Sequence, residues 1–285
     1  MDTTLTVRAN LLYQQASILA DELRKKQNRH QTAVIPADFK TEFFAFVDTL
    51  NLSLMEDKDN FFGYFLFQMG KEIRFDLADA TGVTFKKTQY ILYFNPLIFL
   101  PLSQEQMESS IKHQILHVVS MHLVRAKELK SSYSRLAINL AMDVVVNTYL
   151  DHLPPFSTTL DWVNMNYSLL LAPFESFEYY VEKIQTALDL RTDKTDKPDD
   201  GSSQDNTVST SYQPGKTHAL WDESDMDDVQ SLQKFTEKYI DAAHKGKLSN
   251  YLESMIASLK ETDNDLPWHW YLKKLVGSVA NRMKK

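Results

Sequence analysis

The chain has 285 residues, with 31 Lys and Arg against 38 Asp and Glu, a formal net charge of −7. That balance excludes a nonspecific grip on phosphate backbones, so nucleic acid is not an expected partner. The absence of cysteine excludes a disulfide scaffold, thiol catalysis and a Cys-ligated metal, leaving His, Asp and Glu to hold any ion.

Seven glycines leave little material for hairpin turns or Gly-rich phosphate loops, and mostly helix is the first expectation. The first twenty residues lack the apolar stretch of a signal peptide. The greasiest later run, YILYFNPLIFLPL, is cut by Asn95, Pro96 and Pro101, so no membrane association and a cytoplasmic location are expected.

In chain order, helical spacing of apolar residues predicts helices over 6–29 and 38–52. From Asn60 the texture turns aromatic and β-branched: FFGYFLFQM and VTFKKTQYILYF predict two or three strands, with Gly70 and Gly82 at turns. Ser103 followed by Gln106 predicts a capping box opening one continuous helix over 104–126. Further helices are expected over 134–150, stopped by Pro154 and Pro155, and over 175–190. Residues 191–216 carry almost no large apolar side chain and read as a flexible linker or long loop. Helices are then expected over 226–243, 248–259 and 268–282. This divides the chain into a domain over 1–190, a linker over 191–216 and a helical tail over 217–285 that packs back on the domain.

Three of the eight histidines, His113, His117 and His122, fall in the run I-K-H-Q-I-L-H-V-V-S-M-H. Four residues apart on a helix, His113 and His117 share a face and can reach one ion. The spacing alone is weak, since eight histidines placed at random give about 0.2 such pairs. The apolar flanks Ile115, Leu116, Val118 and Val119 put both rings inside the fold, where an imidazole needs a partner: a backbone or carboxylate group on one reading, a metal on the other. In A-I-N-L-A-M-D-V-V-V-N-T-Y-L, Asn139, Asp143 and Asn147 make a polar stripe on an otherwise apolar helix. Asp143 facing both histidines would complete a three-ligand zinc site with an open fourth position. The alternative for Asp143 is an ion pair with Arg125 or Arg135. His122 lies about 900° from His113 on a continuous helix, half a turn out of phase. It is therefore expected behind the site, supporting it or the core, as are Asn139 and Asn147. His152 and His218 are expected at the surface, and Trp221 to dock the end of the linker.

With these residues in view, H-Q-I-L-H resembles the H-E-x-x-H motif of zinc metallopeptidases. Together with Y-F-N-P at 93–96, N-L-A-M-D-V-V-V-N and, more loosely, L-P-W-H-W-Y-L-K-K-L, it resembles a bacterial metallopeptidase family. Longer members of that family carry a C-terminal von Willebrand factor A-like domain and associate with MoxR-type AAA+ ATPases. The resemblance implies an α+β, helix-rich zincin-like domain with a small sheet packed on the metal-binding helix. It implies Zn2+ held by His113, His117 and Asp143, Gln114 in the general-base position, a peptide or protein substrate, and an AAA+ ATPase partner. The chain ends about where the von Willebrand-like domain would begin, as expected of a trimmed chain or a short member.

The second departure is Gln114 itself. In the family the glutamate accepts the proton of the attacking water, and glutamine cannot. Loss of general-base help costs ~10²–10⁴ in rate, so metal binding with little or no hydrolysis is expected. An inactivating substitution and a natural pseudoenzyme both fit. The competing expectation is a catalytically silent, metal-stabilised scaffold or peptide-binding module; a third is a helical interaction protein without metal. By analogy with zinc peptidases, the strand over 90–94 is expected to be an edge strand that pairs with an extended substrate; Tyr90, Leu92 and Phe94 also suit a core-facing set.

Overall fold

Ser103 accepts from Gln106 N–H through its hydroxyl while the Gln106 amide oxygen accepts from Ser103 N–H, the reciprocal cap that the spacing predicts. In the computed structural model, which describes residues 3–28, 34–56, 60–155, 157–195, 218–224, 229–243 and 249–260, this cap opens the helix that carries His113 and His117.

Three helices precede the sheet: α1 (Thr3–Asn28), α2 (Ala37–Glu56) and α3 (Phe61–Gln68). The last is a correction, because FFGYFLFQ reads as a strand from its aromatics yet folds as a helix buried on most sides. It contains no β-branched residue, and Gly63 explains how it fits. A Cβ there would lie 2.5 Å from Met55 Cγ and 2.9 Å from Met55 N, so glycine lets α3 come close against the end of α2.

Strands β1 (Gly70–Ile73), β2 (Thr81–Lys86) and β3 (Gln89–Phe94) form a mixed sheet in the order β1-β3-β2, with β1 parallel and β2 antiparallel to β3. The β2–β3 hairpin turns on Lys87 and Thr88, both at positive φ (48° and 75°), so the turn forms without glycine. Strand β3 is therefore central, bonded on both sides, and cannot be the edge strand expected over 90–94. Its side chains serve the core: Phe94 meets Phe43 and Phe99 edge to face, at 5.6 and 5.0 Å between centroids.

After α4 (Pro96–Phe99) comes α5 (Gln104–Val119), which ends earlier than expected. Met121 adopts the left-handed conformation at φ 53°, and a new helix, α6 (His122–Leu129), begins. Then follow α7 (Arg135–Asn147), capped by the Ser134 hydroxyl, α8 (Leu160–Tyr167) and α9 (Phe177–Thr195). A buried Arg125 on α6 ties to Glu178 on α9 through both carboxylate oxygens, at 2.8 and 3.0 Å.

The described part of the tail comprises a 3-10 turn (Ala219–Glu223), α10 (Val229–Ala243) and α11 (Asn250–Lys260). Helix α10 packs on α3 and α5; its Thr236 hydroxyl meets Tyr90 OH at 2.6 Å, and Tyr239 O accepts from the Gln68 amide at 3.0 Å. The helix expected over 268–282 and residues 196–216 of the expected linker lie outside the described residues. Over the rest, the chain is helix-rich α+β with a small sheet against α5, joined where Thr81 Oγ1 meets Ser110 Oγ at 2.7 Å. No described helix is long and apolar enough to cross a membrane.

Candidate metal centre

Helix α5 places His113 and His117 one turn apart on the side facing α7, which brings Asp143 to meet them. The Nε2 atoms of His113 and His117 are 2.9 Å apart, and Asp143 Oδ1 lies 3.5 Å from the first and 3.4 Å from the second. A fourth donor joins them from the 3-10 turn: His218 Nε2 stands 3.3 Å from both His117 Nε2 and Asp143 Oδ1. These four atoms all lie within 4.8 Å of one another and could hold a metal ion.

The expectation of a surface His218 is thus overturned, since only 6% of the residue is exposed. Trp221, expected merely to dock the linker's end, stacks edge to face on both imidazoles, 5.5 Å from the His117 ring and 4.5 Å from that of His218. His152, by contrast, is exposed, as expected. No signal in the sequence ties His218 to the histidine pair; the lone clue is Trp221, a large apolar ring just past a polar stretch.

Electrostatics make this cluster unstable as a set of plain hydrogen bonds. Asp143 is 4% exposed, and its Oδ1 is buried with no hydrogen bond, because the surrounding nitrogens stand beyond the usual 2.7–3.2 Å. Two imidazole Nε2 atoms at 2.9 Å present lone pairs to each other unless a proton or a cation lies between them. A tetrahedral ion with ligands at about 2.0–2.1 Å separates them by about 3.3–3.4 Å, close to most of the spacings found. The donor set, nitrogen and oxygen only, suits a divalent ion such as zinc.

Neighbouring groups orient the rings. His113 Nδ1 lies 2.7 Å from Asn147 Oδ1, and the Asn147 amide is itself fixed by donating to Thr158 O at 2.8 Å. That arrangement puts the His113 proton on Nδ1 and leaves Nε2 as a lone pair. His117 Nδ1 meets His122 Nδ1 at 2.9 Å, so His122 stands directly behind His117. The expected half-turn offset of His122 from His113 assumed a continuous helix; the break at Met121 removes that premise, although His122 still lies outside the four-donor cluster. Asn139, Asp143 and Asn147 are all buried: Asn147 holds His113, Asp143 sits at the centre, and Asn139 lines a neighbouring cavity with His218. The ion pairs weighed for Asp143 are not formed, since Arg125 holds Glu178 and Arg135 holds Asp222 at 2.9 Å.

The charges follow from this geometry. Burial alone would push the Asp143 carboxyl up, but the three imidazoles around it outweigh burial and hold it well below the usual carboxylate range. Burial, helped by the neighbouring His113, drives His117 well down, and burial with His117 beside it does the same to His122. For His113 burial is overcome by Asp143 and Asn147, and its pKa is raised.

Gln114 faces a narrow cleft of about 30 Å³, shared with His113, Asp143, Asp79 and Ser157, while its amide donates to Thr81 O on β2 at 3.2 Å. Asp79, which the sequence reading passed over, has its carboxyl pushed up by burial and by the nearby Asp143 charge. The surrounding D-L-A-D-A-T-G carries no periodicity that would single it out.

A family model, DUF2201_N, described as "Putative metallopeptidase domain", matches residues 51–284. No significant match was found among curated proteins or solved structures. With the histidine and aspartate cluster inside the matched region, the chain belongs to this metallopeptidase-domain family.

Proposed function

We propose that the protein is a zinc-dependent peptidase acting on peptide or protein substrates, present here in a base-deficient form. The observation that carries the reading is the convergence of His113, His117 and Asp143 on one buried point, with Asp143 Oδ1 otherwise unpartnered. His113, held by Asn147, and His117, backed by His122, are the imidazole ligands, and Asp143 is the carboxylate ligand. When bound, zinc supplies Lewis acidity, polarising a substrate carbonyl and acidifying water.

Gln114 occupies the general-base position on the cleft side. Its amide donates to Thr81 O and can orient a neighbouring water, but it has no site to take up a proton. Turnover is therefore slower than in a glutamate-bearing counterpart by ~10²–10⁴. The second reading, favoured by Gln114, is a silent metal-stabilised scaffold that captures peptides. In either case the work is cytoplasmic and done beside a MoxR-type AAA+ ATPase, as the resemblance to a family whose longer members carry a C-terminal von Willebrand factor A-like domain implies.

Elemental analysis tests the metal: about one zinc per chain is expected, lost on His117→Ala, and a zinc-free wild type would refute the reading. Zinc-dependent cleavage of a protein substrate by Gln114→Glu selects the peptidase. A zinc-loaded Gln114→Glu chain that binds peptide without cutting it, also when His218 is replaced by alanine, selects the scaffold.

A further inference from the structure

We infer that His218 is the fourth protein ligand of the metal, and that the 3-10 turn carrying it holds the coordination shell closed and seals the site from substrate. This rests on the metal-site reading above. A zinc centre that does chemistry keeps one position for water or substrate, whereas four protein donors make a closed, structural type of shell. Here the fourth corner is taken, with His218 Nε2 at 3.3 Å from two of the other donors.

Space around the site points the same way. The cleft beside His113, Asp143 and Gln114 has about 30 Å³, enough for a water or two and too little for a peptide. A far larger cavity of about 250 Å³ is lined by His218, Trp221, Asn139, Ile138, Lys130 and Arg135 and by none of the other three donors. His218 and Trp221 thus wall off the volume that could admit a side chain from the donors that would act on its peptide.

The turn is fastened in a manner that permits release. Leu220 sits where a Cβ on Gly82 would lie 2.6 Å from Leu220 Cδ1, so the absence of a side chain at that point of β2 makes room for it. Outside this apolar seat the fastening is ionic and half-exposed. Glu223 pairs with Arg74 at 2.6 Å and Lys86 at 2.9 Å, and Asp222 pairs with Arg135 at 2.9 Å and Lys130 at 3.4 Å. Pairs of that kind are individually weak and screened by salt. Displacing the turn removes the imidazole from the fourth position and joins the large cavity to the donors. The same closure holds back a Gln114→Glu variant, so restoring a carboxylate at 114 and withdrawing His218 should each be necessary for full cleavage.

Cobalt(II) loaded into the full chain, with azide as the probe, separates the possibilities. The wild-type visible spectrum is expected to be insensitive to azide up to high millimolar concentration, while His218→Ala shifts on azide addition and loses cobalt to a chelator at least tenfold faster. Because His218→Ala also removes a buried ring from the core, the double substitution Asp222→Lys and Glu223→Lys is measured beside it. It leaves all four donors in place and should give a salt-dependent azide response between the two. An azide response of wild type equal to that of His218→Ala overturns the closed shell while leaving the metal site standing. A wild type that binds no cobalt removes both readings.

Discussion

The two halves of the metal cluster are built differently. His113, His117 and Asp143 ride on α5 and α7, helices of 16 and 13 residues whose starts are capped by Ser103 and Ser134 and whose flanks lie in the core. His218 directly precedes a turn of five residues, seated by Leu220 and Trp221 and fastened by half-exposed ion pairs. Three donors are thus preorganised by secondary structure, and one is added by a segment fastened through half-exposed ion pairs. Under the proposal above, such a division would let the site keep its metal while its fourth position opens.

In a background where His218→Ala has opened the shell, Gln114→Glu should raise the rate of peptide cleavage by ~10²–10⁴, read as kcat/KM on a denatured protein substrate. Next, Phe43→Ala removes a fully buried ring that packs on Phe94 and Phe99. It should cost about 3–5 kcal/mol in denaturant unfolding while leaving the zinc content of the folded protein unchanged. Asn147→Ala frees the His113 ring from its orienting acceptor and should weaken zinc binding about 10–100-fold in a chelator competition. At the small end, Glu223→Gln should change global stability by less than about 1 kcal/mol, yet speed chelation of the bound metal, which would mark the turn as separately mobile.

Acid should act on the helix-borne half of the metal-free protein. His117 and His122 are depressed when folded and ordinary, near 6.5, when unfolded, so the unfolded chain binds more protons. Their contribution is complete above about pH 6.5 and is lost as pH falls through and below that value. His113 is raised and acts in the opposite sense, favouring the fold below its unfolded pKa and losing that effect as pH rises through its folded one. The raised Asp79 carboxyl opposes His117 and His122 as well, but these two are driven well down whereas His113 and Asp79 are only raised, so the melting temperature of the metal-free chain should fall between pH 7 and pH 5; a rise over that range would mean that His113 and Asp79 dominate.

The same contrast explains what was legible in the sequence. Helical period connects His113 to His117 and Asn139 to Asp143 to Asn147, so residues close in the chain report their own convergence. His218 belongs to no period, and its place depends on a long-range contact that local pattern cannot carry. Two errors had local causes. An aromatic run with no β-branched residue became α3, because burial on most sides suits a core helix as well as a strand. Helix α5 stops at Ser120 without glycine or proline, since Met121 takes a left-handed conformation there, and the break brings His122 behind His117.

Zinc-edge X-ray absorption on the zinc-loaded full chain reads the donor set itself. One tightly held zinc is expected, with a nitrogen and oxygen shell at about 2.0–2.1 Å and the outer-shell scattering of imidazoles, diminished in His117→Ala. A zinc surrounded by oxygen alone, or a folded chain that retains no zinc, would contradict it.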